Sequence, residues 1–389
     1  MAKTPLNPAI GSLPEASRKA SLRLLATLFL RLGVTAFGGP AVHIAMMEDE
    51  VVNRRRWLDR QRFLDLLGAA NLLPGPSSSE LAIYIGQSQA GWAGLLMGGA
   101  CFILPATLLT AAIAWAYMRF GSLPQTTGIL YGIRPVVVAI ILQALWRLGQ
   151  TALKTRFLMM IAIGAAAVSF AGLGPIWILL CSGAVVLAER SAQQLRSLPA
   201  VFGFVPTTAI ITHWSLGNLF LIFLKLGAVV FGSGYVLLAF LRADLVDRLH
   251  WLTEKQLLDA VAVGQITPGP VFSTATFIGY ILAGGKGAVL ATVAIFLPAF
   301  FLVAFTGPLL PRLRKSKIVS ALFDGVNAGS LGLMAAVVLF LAHAAIFDLS
   351  TTVIAIGSAT LLLRFKVNAA WLILAGATFG IIDIGLLVK

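Results

Sequence analysis

Residues 74–80 read Pro-Gly-Pro-Ser-Ser-Ser-Glu and residues 268–274 read Pro-Gly-Pro-Val-Phe-Ser-Thr, each inside a long apolar stretch. Proline lacks the N–H that a helix interior needs, so each Pro-Gly-Pro stops a helix. Pro76 and Pro270 then suit the first turn of a new one. The first turn of that new helix leaves backbone N–H groups without intrahelical partners and carries about half a positive charge. Such a terminus binds anions. Two of them facing each other near the middle of a membrane would cradle a small oxyanion, with Pro74, Gly75, Pro76, Ser77, Ser78 and Ser79 on one side. Pro268, Gly269, Pro270, Ser273 and Thr274 would form the other. A second pair of breaks follows Phe37 and Phe231: Gly38, Gly39 and Pro40, and Gly232, Ser233, Gly234 and Tyr235. The competing reading is that these are packing kinks, which glycine and proline also supply in membrane helices. Four breaks at duplicated positions favour the site.

Charged residues inside apolar segments are the second signal, because each is costly there. Arg31 precedes Phe37-Gly38 by the spacing at which Lys225 precedes Phe231-Gly232. A cation at both places suits charge compensation for an anion; the alternative is that both snorkel to an interface. Arg134 reads equally as an interfacial anchor or a substrate contact. Glu80 is a candidate proton carrier or a helix N-terminal charge. His43 is a candidate proton or anion ligand, or a packed histidine. Asp65 and Asp259 match each other and read as first-turn helix charges.

The elements that must hold these residues are hydrophobic. Of 389 residues, 59% are apolar and 11% charged, and the mean hydropathy is +0.92. A soluble domain carries about 25% charged residues, so this composition implies a polytopic all-α membrane protein. The 29 Lys and Arg residues against 15 Asp and Glu give a net charge of +14. They lie mostly in short loops, as cytoplasmic loops require, and no nucleic-acid motif accompanies them. Cys101 and Cys181 exclude a disulfide or zinc framework. No HExxH, GxSxG, Walker A or CxxC pattern is present, so the reading is a non-enzyme with no cofactor and no metal.

The chain is duplicated. Residues 28–76 laid over 222–270 give 17 identities in 49 positions, Trp57/Trp251, Asp65/Asp259 and Pro74-Gly75-Pro76/Pro268-Gly269-Pro270 among them. After a one-residue slip the match resumes at Leu104-Pro105/Leu297-Pro298 and Gly132/Gly325. The expected organisation is a disordered cytoplasmic tail (1–21), a repeat (22–188), a linker with an optional membrane crossing (189–216) and a second repeat (217–389). The connection 54–62 is strongly basic while its counterpart 248–255 is nearly neutral; loop 119–127 carries only Arg119 while 311–317 is basic. Opposite bias in equivalent loops predicts inverted-topology repeats with broken or re-entrant helices, the pattern of secondary transporters.

At these residues the chain resembles the chromate transporter family. The resemblance is carried by Phe37-Gly38-Gly39-Pro40 with His43, Arg55-Arg56-Trp57-Leu58, Leu73-Pro74-Gly75-Pro76, Leu81 to Gly86, and Phe102-Ile103-Leu104-Pro105. Phe231-Gly232-Ser233-Gly234-Tyr235 and Thr267-Pro268-Gly269-Pro270-Val271-Phe272 extend it over both halves, as in the long two-domain form. The family usually has glycine where Ser233 stands. The resemblance implies proton-motive export of chromate across a bacterial inner membrane, with sulfate as a look-alike dianion. The partners expected are the oxyanion, protons and the lipid bilayer, with a homodimer allowed and no nucleic acid. Rival readings are a sulfate or other oxyanion transporter of the same fold, and an intramembrane enzyme acting on lipid phosphates.

Overall fold

The computed structural model describes residues 15–37, 39–121, 123–191, 214–231, 234–306, 316–365 and 367–387. Among them are fourteen α-helices and no strand. The first half holds α1 (Glu15–Thr35), α2 (Pro40–Glu48), α3 (Arg60–Ala70), α4 (Ser77–Phe120), α5 (Pro124–Ala152), α6 (Arg156–Phe170) and α7 (Pro175–Ser191). The second holds α8 (Leu216–Val229), α9 (Leu237–Leu241), α10 (Glu254–Ile266), α11 (Thr274–Thr306), α12 (Lys317–Ala345), α13 (Leu349–Arg364) and α14 (Ala369–Leu387). Residues 1–14 of the expected tail and 192–213 of the expected linker lie outside the described residues, as do Gly38, Gly232 and Ser233.

Among the described residues four helices are long and apolar enough to cross a membrane, but two of those are not single rods. The 44 residues of α4 would run about 66 Å if straight, twice a bilayer core of about 30 Å. Ala90 and Gly91 leave helical geometry, with Gly91 at φ 57°; Ala283 and Gly284 do the same in α11, with Gly284 at φ 60°. The chain folds back on itself at both. A Cβ added at Gly86 would sit 2.1 Å from the carbonyl oxygen of Gly94, and one at Gly279 would sit 2.3 Å from that of Gly287. On a straight helix such pairs stand about 12 Å apart. Each element is therefore a tight hairpin of helices, closed by glycines that let backbones touch.

The repeat is visible in the backbone itself. Arg56 and His250 share a positive φ, 52° and 50°, at the 194-residue offset. The Gly86/Gly279 and Gly91/Gly284 pairs stand at an offset of 193, which places the slip between Pro76 and Gly86. Within each half the first helix packs on the long hairpin, α1 on α4 and α8 on α11. Between halves the packing is exchanged: α5 carries α13 and α14, while α12 carries α6 and α7. Gly132 of α5 meets Gly376 of α14, and the equivalent Gly325 of α12 meets Ser182 and Gly183 of α7. Reciprocal contacts of this kind define a pseudo-two-fold relation. Together with the opposed loop charges they give inverted-topology repeats.

Two sequence expectations need correction. Asp65 and Asp259 are not first-turn charges: they lie well inside α3 and α10, whose first turns begin at Arg60 and Glu254. Arg134 is neither an interfacial anchor nor open to a ligand here. It makes a bidentate pair with Asp259, Nε to Oδ1 at 2.8 Å and Nη2 to Oδ2 at 3.0 Å, and Tyr117 donates its hydroxyl to Oδ2 at 3.0 Å. Burial explains the Arg134–Asp259 pair, since a charge removed from water needs a partner with matching geometry.

Candidate substrate site

The four breaks come together. The Gly75 N–H donates to the Val230 carbonyl at 2.7 Å, and the equivalent Gly269 N–H donates to the Ala36 carbonyl at 3.0 Å. Pro74 and Phe231 form an antiparallel bridge. Each Pro-Gly-Pro is thus hydrogen-bonded to the first break of the other half. Irregular backbone inside a membrane must find such partners. His43 donates from Nε2 to the same Ala36 carbonyl at 3.0 Å and meets Phe102 edge-on, which makes it a clasp on the first break.

How the helices begin separates this centre from the periphery. Asp59, Thr155, Ser215, Thr253, Ser316 and Asp348 cap α3, α6, α8, α10, α12 and α13 with their side chains. At the breaks, α2 starts behind Gly39, α4 behind Pro76 and the turn Val271–Ser273 behind Pro270, none with a side-chain cap. Only α5, behind Leu123, is also uncapped at a loop among the helices whose start is described. The inner helix starts therefore keep first-turn N–H groups available to a guest.

A cavity of about 470 Å³ opens onto these starts. Pro40 and Ala41, Pro76 to Ser78, Gly234 and Tyr235, and Val271 and Phe272 contribute to its wall. The remaining wall is α5, from Gln143 to the Lys154 turn, and α12, from Asp324 to Met334. Lys154 lies beyond the last residue of α5, so the cavity runs from the breaks to the α5–α6 turn. Its charged lining is Arg147, Lys154 and Asp324, and Asp324 is already taken by Arg190 at 2.6 Å. Arg147 and Lys154 are exposed and make no ion pair among the described residues. Ser330 is buried with no partner for its Oγ and lies in the wall. The Tyr235 hydroxyl donates to Gln265 Oε1 at 3.3 Å and stands over Gly39 of the other half.

The remaining expected residues fall into three groups. Gly39, Pro74 and Gly75 build the first-half breaks without reaching the cavity wall. Ser79, Pro268, Gly269, Pro270, Ser273 and Thr274 are buried away from it; Ser79 and Ser273 lack hydroxyl partners, while Thr274 donates to the Val271 carbonyl at 2.8 Å. Glu80 is sealed with both carboxylate oxygens unpartnered, folded back against the Cα of Gly75. Arg31 and Lys225 stand outside. Arg31 pairs with Glu50 and Lys225 with Asp244, carboxylates at equivalent positions on equivalent π-turns (Asp49–Arg54, Arg242–Arg248). Each repeated cation is thus held by an equivalent carboxylate, and neither lines the cavity. Sequence reading missed Arg147, Lys154, Asn327 and Ser330. Arg147 carried a usable signal, an arginine at the end of the apolar segment 129–148.

Comparison with known sequences agrees with this architecture. The sequence model described as chromate transporter matches residues 23–187 and again 217–381, one match per half. The chain belongs to the chromate transporter family. A chromate transport protein of Cupriavidus metallidurans is 35% identical over 373 residues, covering 92% of either chain. A probable chromate transport protein of Synechococcus elongatus is 33% identical, covering 86% of this chain and 88% of its own. A chromate transport protein of Pseudomonas aeruginosa is 34% identical, covering 81% of this chain and 80% of its own. No solved structure matches the chain. Membership of the chromate transporter family makes this a multi-pass membrane transporter, and the doubled match coincides with the interlocked halves.

Proposed function

We propose that the protein exports chromate across a bacterial inner membrane by alternating access around the four breaks. The observation that carries the reading is the cavity where uncapped helix starts from both halves meet two unpaired cations, Arg147 and Lys154. Helix termini and cations together favour a doubly charged guest. The cavity ends at the α5–α6 turn, where Lys154 is followed by Arg156, and Arg190 pairs with the cavity-lining Asp324. A basic rim marks the cytoplasmic side, so the cavity faces inward. Expelling a dianion from a negative interior gains about 4.6 kcal/mol per 100 mV, roughly a 2,000-fold concentration ratio. Export needs no further energy source.

Glu80 is the candidate for proton coupling. A carboxylate sealed from water without a partner is costly, so a change of surroundings at Gly75 obliges it to exchange a proton or meet a cation. His43 fits that role less well, because its Nε2 already holds the break. A lipid-phosphate enzyme would need carboxylates and histidines converging on the cavity; the one carboxylate lining it, Asp324, is spent on Arg190.

The test is uptake of labelled chromate by respiring inside-out vesicles carrying the protein. Accumulation that collapses with the membrane potential is expected, and sulfate at excess should compete. Absence of chromate flux together with sulfate flux would transfer the reading to a sulfate transporter, and lipid-phosphate hydrolysis with neither flux would transfer it to the enzyme.

A further inference from the structure

The buried Arg134–Asp259 pair belongs to no part of the inward cavity, yet it occupies a defined place in the repeat. At the 193-residue offset, the cavity-lining Asn327, Ser330 and Met334 of α12 correspond to Arg134, Val137 and Ile141 of α5. The α12 face borders the cavity, although Ser330 and Met334 are themselves buried in its wall; on the α5 face Arg134 is 9% exposed, Val137 and Ile141 are fully buried, and none of the three borders that cavity. Arg134 also lies about 20 Å along α5 from Arg147, on the far side of the breaks from the basic rim. In inverted repeats the opposite-facing state arises when the halves exchange conformations. The face that is closed here is then the one that opens outward.

We infer that Arg134 is the oxyanion-binding cation of the outward-facing state, and that Asp259 holds its place while the cavity faces inward. The geometry suits such an exchange. A guanidinium fork accepts a carboxylate or a tetrahedral oxyanion through the same two parallel N–H groups, and the pair with Asp259 already uses Nε and Nη2 in that manner. When the halves exchange, Asp259 takes the setting its counterpart Asp65 has here, which is half-exposed. A carboxylate that regains water can release its cation without the cost of a stranded buried charge. Tyr117 donates to the same Asp259 oxygen from α4 and completes the closed form. The two sides are also unequal by sequence. The rim cations Arg147 and Lys154 correspond to Phe340 and Phe347, and the cations around Phe340, namely Lys225, Arg242 and Arg248, are already paired with Asp244, Asp247 and Glu254, so the outward side offers one deep cation and a rim whose charges are spent. An anion is gathered from the cytoplasm and released to a face that does not hold it.

This inference rests on the transport reading, and its test keeps the two apart. Cys101 and Cys181 are first replaced by serine, and chromate flux is measured in that background. Val137→Cys and Ser330→Cys, equivalent positions on the two faces, are then treated with a membrane-impermeant maleimide in right-side-out and inside-out vesicles. Val137→Cys should react from outside only, Ser330→Cys from inside only, and chromate should slow the outside reaction. Asp259→Asn should raise outside labelling of Val137→Cys at least severalfold by freeing the closed face. Arg134→Lys, which keeps the charge but loses the fork, should remove the chromate protection while leaving the labelling. With flux present in the background, a Val137→Cys that never labels from outside, or protection that survives Arg134→Lys, overturns the inference and leaves transport standing. Absent flux in the background overturns the transport reading itself.

Discussion

The two Pro-Gly-Pro breaks are the same three residues in two settings. The first opens onto the cavity through Pro76, Ser77 and Ser78. The second is dry at its centre: Gly269 packs against Ala106, Thr110 reaches the Thr267 hydroxyl at 3.4 Å, and Ser273 and Thr274 are sealed. Their backbones are nevertheless tied by equivalent hydrogen bonds, Gly75 to Val230 and Gly269 to Ala36. Local sequence therefore specifies the break, and packing of the two halves decides how much of each break borders the cavity. On the alternating-access reading proposed above, an inverted repeat opens one side at a time, which would make the asymmetry a property of state as much as of sequence.

The largest effect should come from forcing a side chain into the dry break. Gly269 has φ 94°, and a Cβ there would lie 2.8 Å from the Ala106 Cβ on a packed helix. Gly269→Ala should cost about 2–4 kcal/mol from the backbone strain and overpacking together, read as lowered thermal stability in detergent and loss of chromate flux. Gly75→Ala meets the far end of the Glu80 side chain instead, at 2.7 Å with φ 134°. It should cost less in stability while still reducing flux. Equal melting of the two variants would mean that the packing difference between the breaks carries no energy.

Second in size is charge at the open side. Arg147→Glu should lower chromate flux by about tenfold or more through loss of anion capture, and Lys154→Glu, nearer the rim, by less. The effect should shrink at high salt, as expected for a solvent-exposed charge. Introducing a charge at the counterpart of Arg147, Phe340→Glu, should leave capture from the cytoplasmic side unchanged. A matching loss there would erase the distinction between the two sides. Glu80→Gln should then flatten the pH dependence of flux by no more than a few-fold in rate at the optimum. Thr274→Val, at the aligned position of the second break, should leave the profile as it is.

How much of this was legible beforehand depended on whether a feature was repeated. Duplication, the breaks and the helical membrane class follow from glycine, proline and apolar patterning, which act locally. The repeated cations Arg31 and Lys225 were legible for the same reason, but symmetry preserves ion pairs as faithfully as binding groups, so repetition alone does not place them at the cavity. Their partners Glu50 and Asp244 lie at equivalent places as well. Arg147 and Asn327 belong to one side only, with Phe340 and Arg134 as counterparts, so a search for matched residues passes over them. The Arg134–Asp259 pair joins α5 to α10 across the halves, a contact set by the interlocked packing and absent from any local pattern.

The smallest effect separates those peripheral pairs from the site. Glu50 lies on the π-turn after α2, where burial raises its carboxyl pKa but hydrogen bonds and charge from Arg31 and Arg55 outweigh that and hold it below the ordinary 4.5. A carboxyl whose folded value is depressed contributes stability above its unfolded pKa and loses it as pH falls through the folded one. Glu50→Gln should therefore melt below the parent at neutral pH, and the difference should fade once the medium is more acidic than the ordinary carboxylate range. Chromate flux per folded molecule should not change, because neither Glu50 nor Arg31 lines the cavity. A flux loss larger than the loss of folded protein would return Arg31 to the substrate path and would make the repeated pairs part of the transport cycle.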